Sequence, residues 1–148
     1  MTMPDNTSIT QMGYVVADLD AAMERWKTTV GAGPFERLNH VEVVDGLYRG
    51  TPTNVDISVA IAEVGGIQLE LIEQHNDVPS CYRDLFAAGE EGLHHVAVQP
   101  EDFDAEVARY EALGCPQAFG GLYEGARFVY MDTSGSLGIM VELVERRE

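Results

Sequence analysis

Four polar side chains stand in β-favouring, apolar surroundings where they would be out of place without a use: Gln11, Glu70, His95 and Glu142. Successive strand side chains point to opposite sides, so alternation assigns the faces. In the run from Ile67 to Glu73, Ile67, Leu69 and Leu71 form one row and Gln68, Glu70 and Ile72 the other. The run from Ile139 to Glu145 repeats this, with Ile139, Val141 and Leu143 opposing Met140, Glu142 and Val144. The apolar rows belong under helices, which leaves Glu70 and Glu142 pointing away from them. A carboxylate so placed is costly to desolvate unless it is paired, metal-bound or open to solvent. Gln11 and His95 hold equivalent places on two earlier strands, where Met12, Tyr14 and Val16, and Val96 and Val98, supply the helix-facing row. Collected on one face, the four make a ligand set of one imidazole nitrogen and three oxygens, and the two carboxylates balance a divalent cation.

The elements that must position them come from a weak internal repeat. Residues 9–26, ITQMGYVVADLDAAMERW, lie on residues 93–110, LHHVAVQPEDFDAEVARY, with an offset of 84 from Gln11 to His95. GIQLELIE at 66–73 lies on GIMVELVE at 138–145 with an offset of 72, twelve fewer. Each half opens with a short strand, at Ile9 to Val16 and at Leu93 to Val98, followed by a helix. Asp20 and Asp104 are the expected N-caps, apolar residues recur at helical spacing, and glycines at 31, 33 and 114 stop the helices. Three strands follow in each half: Phe35 to Val44, Val55 to Val64 and Ile67 to Gln74, then Gln117 to Tyr123, Arg127 to Asp132 and Ile139 to Glu145. The expected fold is α+β, a single domain over 1–148 of two βαβββ modules, 9–74 and 93–145. A linker at 75–92 carries a short helix capped by Ser80.

On Gln11, LELIE at 69–73, LHHVAV at 93–98 and VELVE at 141–145, the chain resembles the vicinal oxygen chelate superfamily, the glyoxalase and bleomycin-resistance fold. The resemblance spans residues 9–145. It implies a curled mixed sheet whose cup holds one divalent metal ion (zinc, nickel, cobalt, manganese or iron(II)) on Gln11, Glu70, His95 and Glu142. Glutamine at the first position, where histidine is usual, argues against extradiol dioxygenases. The set is similar to that of zinc-using glyoxalase I, whereas methylmalonyl-CoA epimerase resembles His, Gln, His, Glu. The implied activity is that of a lyase or isomerase abstracting a proton next to a metal-bound carbonyl, with Glu142, or Glu70 in its place, as the base. The alternatives are an epimerase-like racemase and a non-catalytic protein that sequesters small molecules. Family members pair modules within one chain or across two, and the stretch from His75 to Gly92 is long enough for exchange, so a homodimer is expected.

Arg127, Tyr130 and His40 fall on expected strands and are candidates to bind a small-molecule substrate, the arginine through a carboxylate or phosphate and the tyrosine through an oxyanion. His94 has the parity opposite to His95 and reads as structural or supporting. Glu73 and Glu145 read as solvated surface, and Trp26, Tyr14 and Tyr110 as core.

Composition narrows the partners. Nine lysines and arginines against 25 acidic residues give a net charge of −16, which repels nucleic-acid phosphates and anionic lipid. The start lacks the basic and apolar segments of a leader, and no uncharged apolar run approaches a membrane span, so a cytoplasmic protein is expected. Cys81 and Cys115 have no paired spacing and are expected to be reduced thiols.

Overall fold

A computed structural model describes residues 8–146; the reading of the chain's start as leaderless falls on residues 1–7, outside that range. The elements are β1 (Ile9–Val15), α1 (Leu19–Val30), β2 (Glu36–Leu38), β3 (Val44–Tyr48), β4 (Thr51–Pro52), β5 (Ile57–Val64), β6 (Ile67–Gln74), α2 (Cys81–Leu85), β7 (Gly92–Val98), α3 (Phe103–Ala112), β8 (Gln117–Tyr123), β9 (Ala126–Met131), α4 (Ser134–Leu137) and β10 (Met140–Val144). All the strands join one ten-stranded mixed sheet in the order β2-β5-β6-β1-β7-β10-β9-β8-β3-β4.

The order displays the duplication. Outward from the centre, one half reads β1, β6, β5, β2 and the other β7, β10, β9, β8. The first pair of each half is parallel, and the halves are joined by the antiparallel β1–β7 pair. The modules therefore pair within one chain, and exchange with a second copy is not needed to complete the sheet.

Parity separates the two faces as the alternation predicts. Leu69 and Leu71 of β6 pack with Leu19 and Ala22 of α1, and Val141 and Leu143 of β10 face Phe103, Val107 and Tyr110 of α3. Each fully buried leucine here contributes about 2 kcal/mol by leaving water. The other face curls around a second apolar cluster built on Val59, Ile72, Phe119, Tyr130 and Met140. Among the described residues no helix is long and apolar enough to cross a membrane.

Three expectations are corrected. The helices begin two residues earlier than Asp20 and Asp104 indicate: Asp18 accepts from the Ala21 N–H and Asp102 from the Ala105 N–H, both at 3.0 Å. Both aspartates of each D-x-D satisfy the capping pattern, but starting at the first places Leu19 and Phe103 in the opening turn against the core. Asp20 and Asp104 then sit in the first turn, where the helix dipole favours them, and pair with Arg37 and Arg127.

The strand expected from Phe35 to Val44 is also broken. After β2 the chain takes left-handed conformations at His40 and Asp45, crosses the mouth of the cup and adds the β3–β4 hairpin to β8, at the far edge of the other half. That insertion accounts for the change in repeat offset. Finally, residues 133–138, expected only to join two strands, contain the single-turn α4, and the linker helix is Cys81–Leu85, capped by Ser80 as expected.

The capping correction can be measured. Asp18→Ala and Asp102→Ala should each lower the unfolding free energy in urea by about 1 kcal/mol. Asp20→Ala should cost about 0.5 kcal/mol or less, since it removes only an exposed ion pair.

Candidate active site

Neighbouring strands carry the four residues to one spot. Gly13 of β1 lies opposite His95 of β7 on one side and Glu70 of β6 on the other, while Gln11 and Glu142 both flank the same face beside Ala97 and Gln68. Here the imidazole Nε2 of His95 is 2.8 Å from Gln11 Oε1, 3.5 Å from Glu70 Oε1 and 3.6 Å from Glu142 Oε1. The ring is wholly buried, and the two carboxylate side chains are only 14% and 12% exposed.

This convergence depends on a glycine. A Cβ at position 13 would sit 2.0 Å from His95 Cε1, so the ring occupies the space that a side chain on β1 would fill. Neither Gly13 nor Gln68 was singled out by the sequence reading. Gln68 accepts from Gln11 Nε2 at 2.6 Å and so turns Gln11 Oε1 toward His95; its parity with Glu70 was the available signal.

Protonation of the histidine pair follows from geometry. His94 Nε2 is 2.9 Å from the Cys81 carbonyl oxygen, which can only accept. Burial drops the His94 pKa to about 4, so the ring is neutral at pH 7, donates from Nε2 and has Nδ1 free to accept. His95 Nδ1, 3.0 Å from His94 Nδ1, must be the donor of that pair. Burial, with His94 alongside, also holds His95 neutral, so its Nε2 carries a lone pair. That lone pair faces three oxygens. Donors spaced this way, all acceptors and enclosed together, fit a shared divalent cation.

The carboxylates tell the same story. Burial raises the Glu70 pKa to about 7 and pushes Glu142 well above its ordinary value, the latter also through the nearby Glu70 charge. A hydrogen bond from Tyr130 opposes the rise at Glu142, and the Tyr82 hydroxyl donates to the Tyr130 hydroxyl at 3.2 Å. Both tyrosines are buried, and burial raises their pKa values well above 10.0, so they remain neutral donors. The linker thus does more than connect: α2 supplies Tyr82 to the cup and the Cys81 carbonyl to His94.

Around these groups is a cavity of about 310 Å³. Leu38, Val41, Val43, Ile57, Val59 and Ile61 line it from one half, and Phe119, Phe128 and Val144 from the other.

Residues 10–130 match the sequence model of the glyoxalase, bleomycin resistance protein and dioxygenase superfamily. The chain belongs to this superfamily. Its fold recurs in solved structures of low identity. A hypothetical protein from Bacillus halodurans is 15% identical with a TM-score of 0.68, over 97% of this chain and 96% of that one. Methylmalonyl-CoA epimerase from Mycobacterium tuberculosis is 23% identical with a TM-score of 0.66, over 100% and 94%. A Streptomyces coelicolor methylmalonyl-CoA epimerase variant in complex with 2-nitronate-propionyl-CoA is 23% identical with a TM-score of 0.55, over 96% and 99%. No curated protein sequence matches the chain.

Of the three residues expected to meet a substrate in the superfamily cup, Tyr130 and Arg127 line the cavity and His40 does not, although the charged end of Arg127 is held elsewhere. Tyr130 lines the cavity and contacts Glu142. Arg127 has the opposite parity on β9: its guanidinium lies over the Phe103 ring, 4.6 Å from the centroid, and pairs with Asp104 and Glu145 on the helix side. His40 lies between β2 and β3 rather than on a strand, and its ring turns outward to Asp56 and His75. Glu73 and Glu145 are not simply solvated. Glu73 accepts from the Leu19 N–H at 2.7 Å, and Glu145 accepts from the Arg127 backbone N–H at 3.1 Å.

Two outcomes follow. Gly13→Ala should destabilise the fold by about 2 kcal/mol or more, seen as a lower urea midpoint, because the buried His95 ring, packed against His94 and Tyr130, must give way. The raised carboxylates also fix a sign. Between the ordinary value of 4.5 and about 7, the folded protein holds protons that the unfolded chain has released. Stability of the metal-free protein should therefore fall as pH rises through that window. Glu70→Gln should flatten the fall and raise the melting temperature at pH 8 by on the order of 5 °C.

Proposed function

We propose that the protein is a divalent-metal-dependent lyase or isomerase that removes a proton next to a carbonyl of a small oxygenated substrate. The observation that carries this reading is the enclosure of two carboxylates, an amide oxygen and an unprotonated imidazole nitrogen together at the base of an apolar cup. Gln11, Glu70, His95 and Glu142 would hold the cation, and their mixed nitrogen and oxygen donors suit zinc, nickel, cobalt, manganese or iron(II). When bound, the cation supplies Lewis-acid polarisation of the carbonyl, which acidifies the neighbouring C–H.

The chain's own groups handle the proton. Glu142 is the better base because the Tyr82–Tyr130 relay orients one carboxylate oxygen and leaves the other toward the cup; Glu70, with no tyrosine partner, is second choice. The aliphatic and aromatic walls lower the polarity around the reacting carbon, which strengthens the interactions that stabilise the charge developing there.

The walls also describe the substrate. Each arginine among the described residues is ion-paired with a carboxylate: Arg25, Arg37, Arg49, Arg83, Arg109, Arg127 and Arg146. With a net charge of −16 besides, a neutral or weakly charged small molecule is favoured. An epimerase-like racemase is the second reading, favoured by solved neighbours that are methylmalonyl-CoA epimerases, one holding a CoA analogue. In that case the acyl end alone would occupy the cup.

The test combines metal content with isotope exchange. The purified protein should carry one equivalent of divalent metal in the cup by elemental analysis, lost in His95→Ala and Glu142→Ala. Candidate carbonyl compounds in deuterium oxide should exchange the hydrogen next to the carbonyl, and Glu142→Gln should slow this by about 100-fold or more. Tight binding of a small molecule with no metal and no exchange across glyoxalase, epimerase and isomerase substrates would replace the enzyme by a sequestering protein.

A further inference from the structure

Two of the chain's four histidines are used at the cup, and the other two meet elsewhere. His40, Asp56 and His75 come from three segments, the crossing between β2 and β3, the entry to β5 and the exit from β6. One ligating atom of each lies within 4.8 Å of the others. The His40 and His75 ring centroids are 4.7 Å apart, and His40 Nδ1 is 2.7 Å from Asp56 Oδ1. Backbone bonds hold the frame: the His75 N–H donates to the Asp56 carbonyl at 2.7 Å, and the His40 N–H to Ser58 Oγ at 2.9 Å.

We propose that His40, His75 and Asp56 form a second metal site, distinct from the cup, which clips the rim of the cup in place. Two imidazoles and one carboxylate select a transition metal such as zinc, nickel or copper over magnesium or calcium. His75 is oriented as such a ligand: Glu73 Oε2, 3.2 Å from Nδ1, holds the ring by one nitrogen, and the other, Nε2, is bonded to Ser58 Oγ at 2.7 Å, a contact the cation would take over. The site is half open to water, so metal can enter without unfolding the rim, replacing the contact between His40 and Asp56.

Its position gives the clip a consequence. Leu38, Val41 and Val43 line the cup, and the Val41 N–H donates to the Ile57 carbonyl at 2.8 Å, one residue from His40. A cation joining His40 to the ends of β5 and β6 would stiffen this wall and slow the opening that admits substrate. The inference stands on these side chains alone and does not depend on what the cup binds.

Zinc titration of the full chain by calorimetry, with amide hydrogen exchange read at residues 38–43, tests it. His95→Ala, which removes a cup ligand, should still bind one zinc ion, and zinc should slow exchange in that segment. His40→Asn combined with His75→Gln should lose that equivalent, with affinity reduced about 100-fold, and lose the protection; Asp56→Asn should weaken binding in the same direction. Unaltered zinc stoichiometry and protection in the double variant, or no zinc-dependent protection in the parent protein, would overturn the clip. Loss of metal from the cup alone, by contrast, would leave the rim equivalent intact.

Discussion

Two carboxylates brought together out of water set the terms for the rest of this molecule. Removing one such charge from solvent costs several kcal/mol, and the second adds repulsion to the first. Salt bridges, the usual remedy, are not used here: the described arginines pair with carboxylates elsewhere, and Arg127, although it lines the cavity, gives its guanidinium to Asp104 and Glu145. What remains is a proton or a cation. The supporting groups are arranged to the same end: Gln68 aims an amide oxygen inward, and the Cys81 carbonyl, through His94, leaves His95 with its lone pair toward the oxygens.

Duplication builds this centre, and departures from symmetry make its parts unequal. Glu70 and Glu142 are equivalent in the repeat, but Glu70 pairs across the sheet with Ile61 and Glu142 with Tyr130. One carboxylate therefore sits beside a methyl surface and its twin beside a hydroxyl. Different surroundings for like groups allow them to differ in acidity and in role. Gln11 and His95 differ more plainly, amide against imidazole, and only the second half carries the tandem histidine.

Strand alternation carried most of the legible information. It put Leu69, Leu71, Val141 and Leu143 beneath helices, and Gln11, Glu70, His95 and Glu142 together on the other face, because both faces of these strands are buried and a one-residue slip would bury the wrong set. Legibility failed where local rules had two solutions or a contact came from far away. Asp18 and Asp20 both satisfy the capping pattern, and only the burial of Leu19 chooses between them. Arg127 and His40 were uncertain because the parity of β9 and of the crossing between β2 and β3 depends on left-handed turns and long-range pairing. Gly13 was passed over because its importance lies in a ring 82 residues away, and nothing local to β1 announces it.

The central place of the β1–β7 pair gives the order of synthesis a structural meaning. While the first half emerges, β1 can pair with β6 and cover one apolar face with α1, yet its other edge must stay open until β7 has been made. An unpaired central edge attracts other chains. The nascent first half is thus most exposed to wrong pairing between completion of Gln74 and arrival of Val98, and the short linker keeps that interval brief. The β3–β4 hairpin waits longer still, because its partner β8 follows α3. A fold that looks like two interchangeable halves therefore has a direction: its first half cannot be finished until its second half exists.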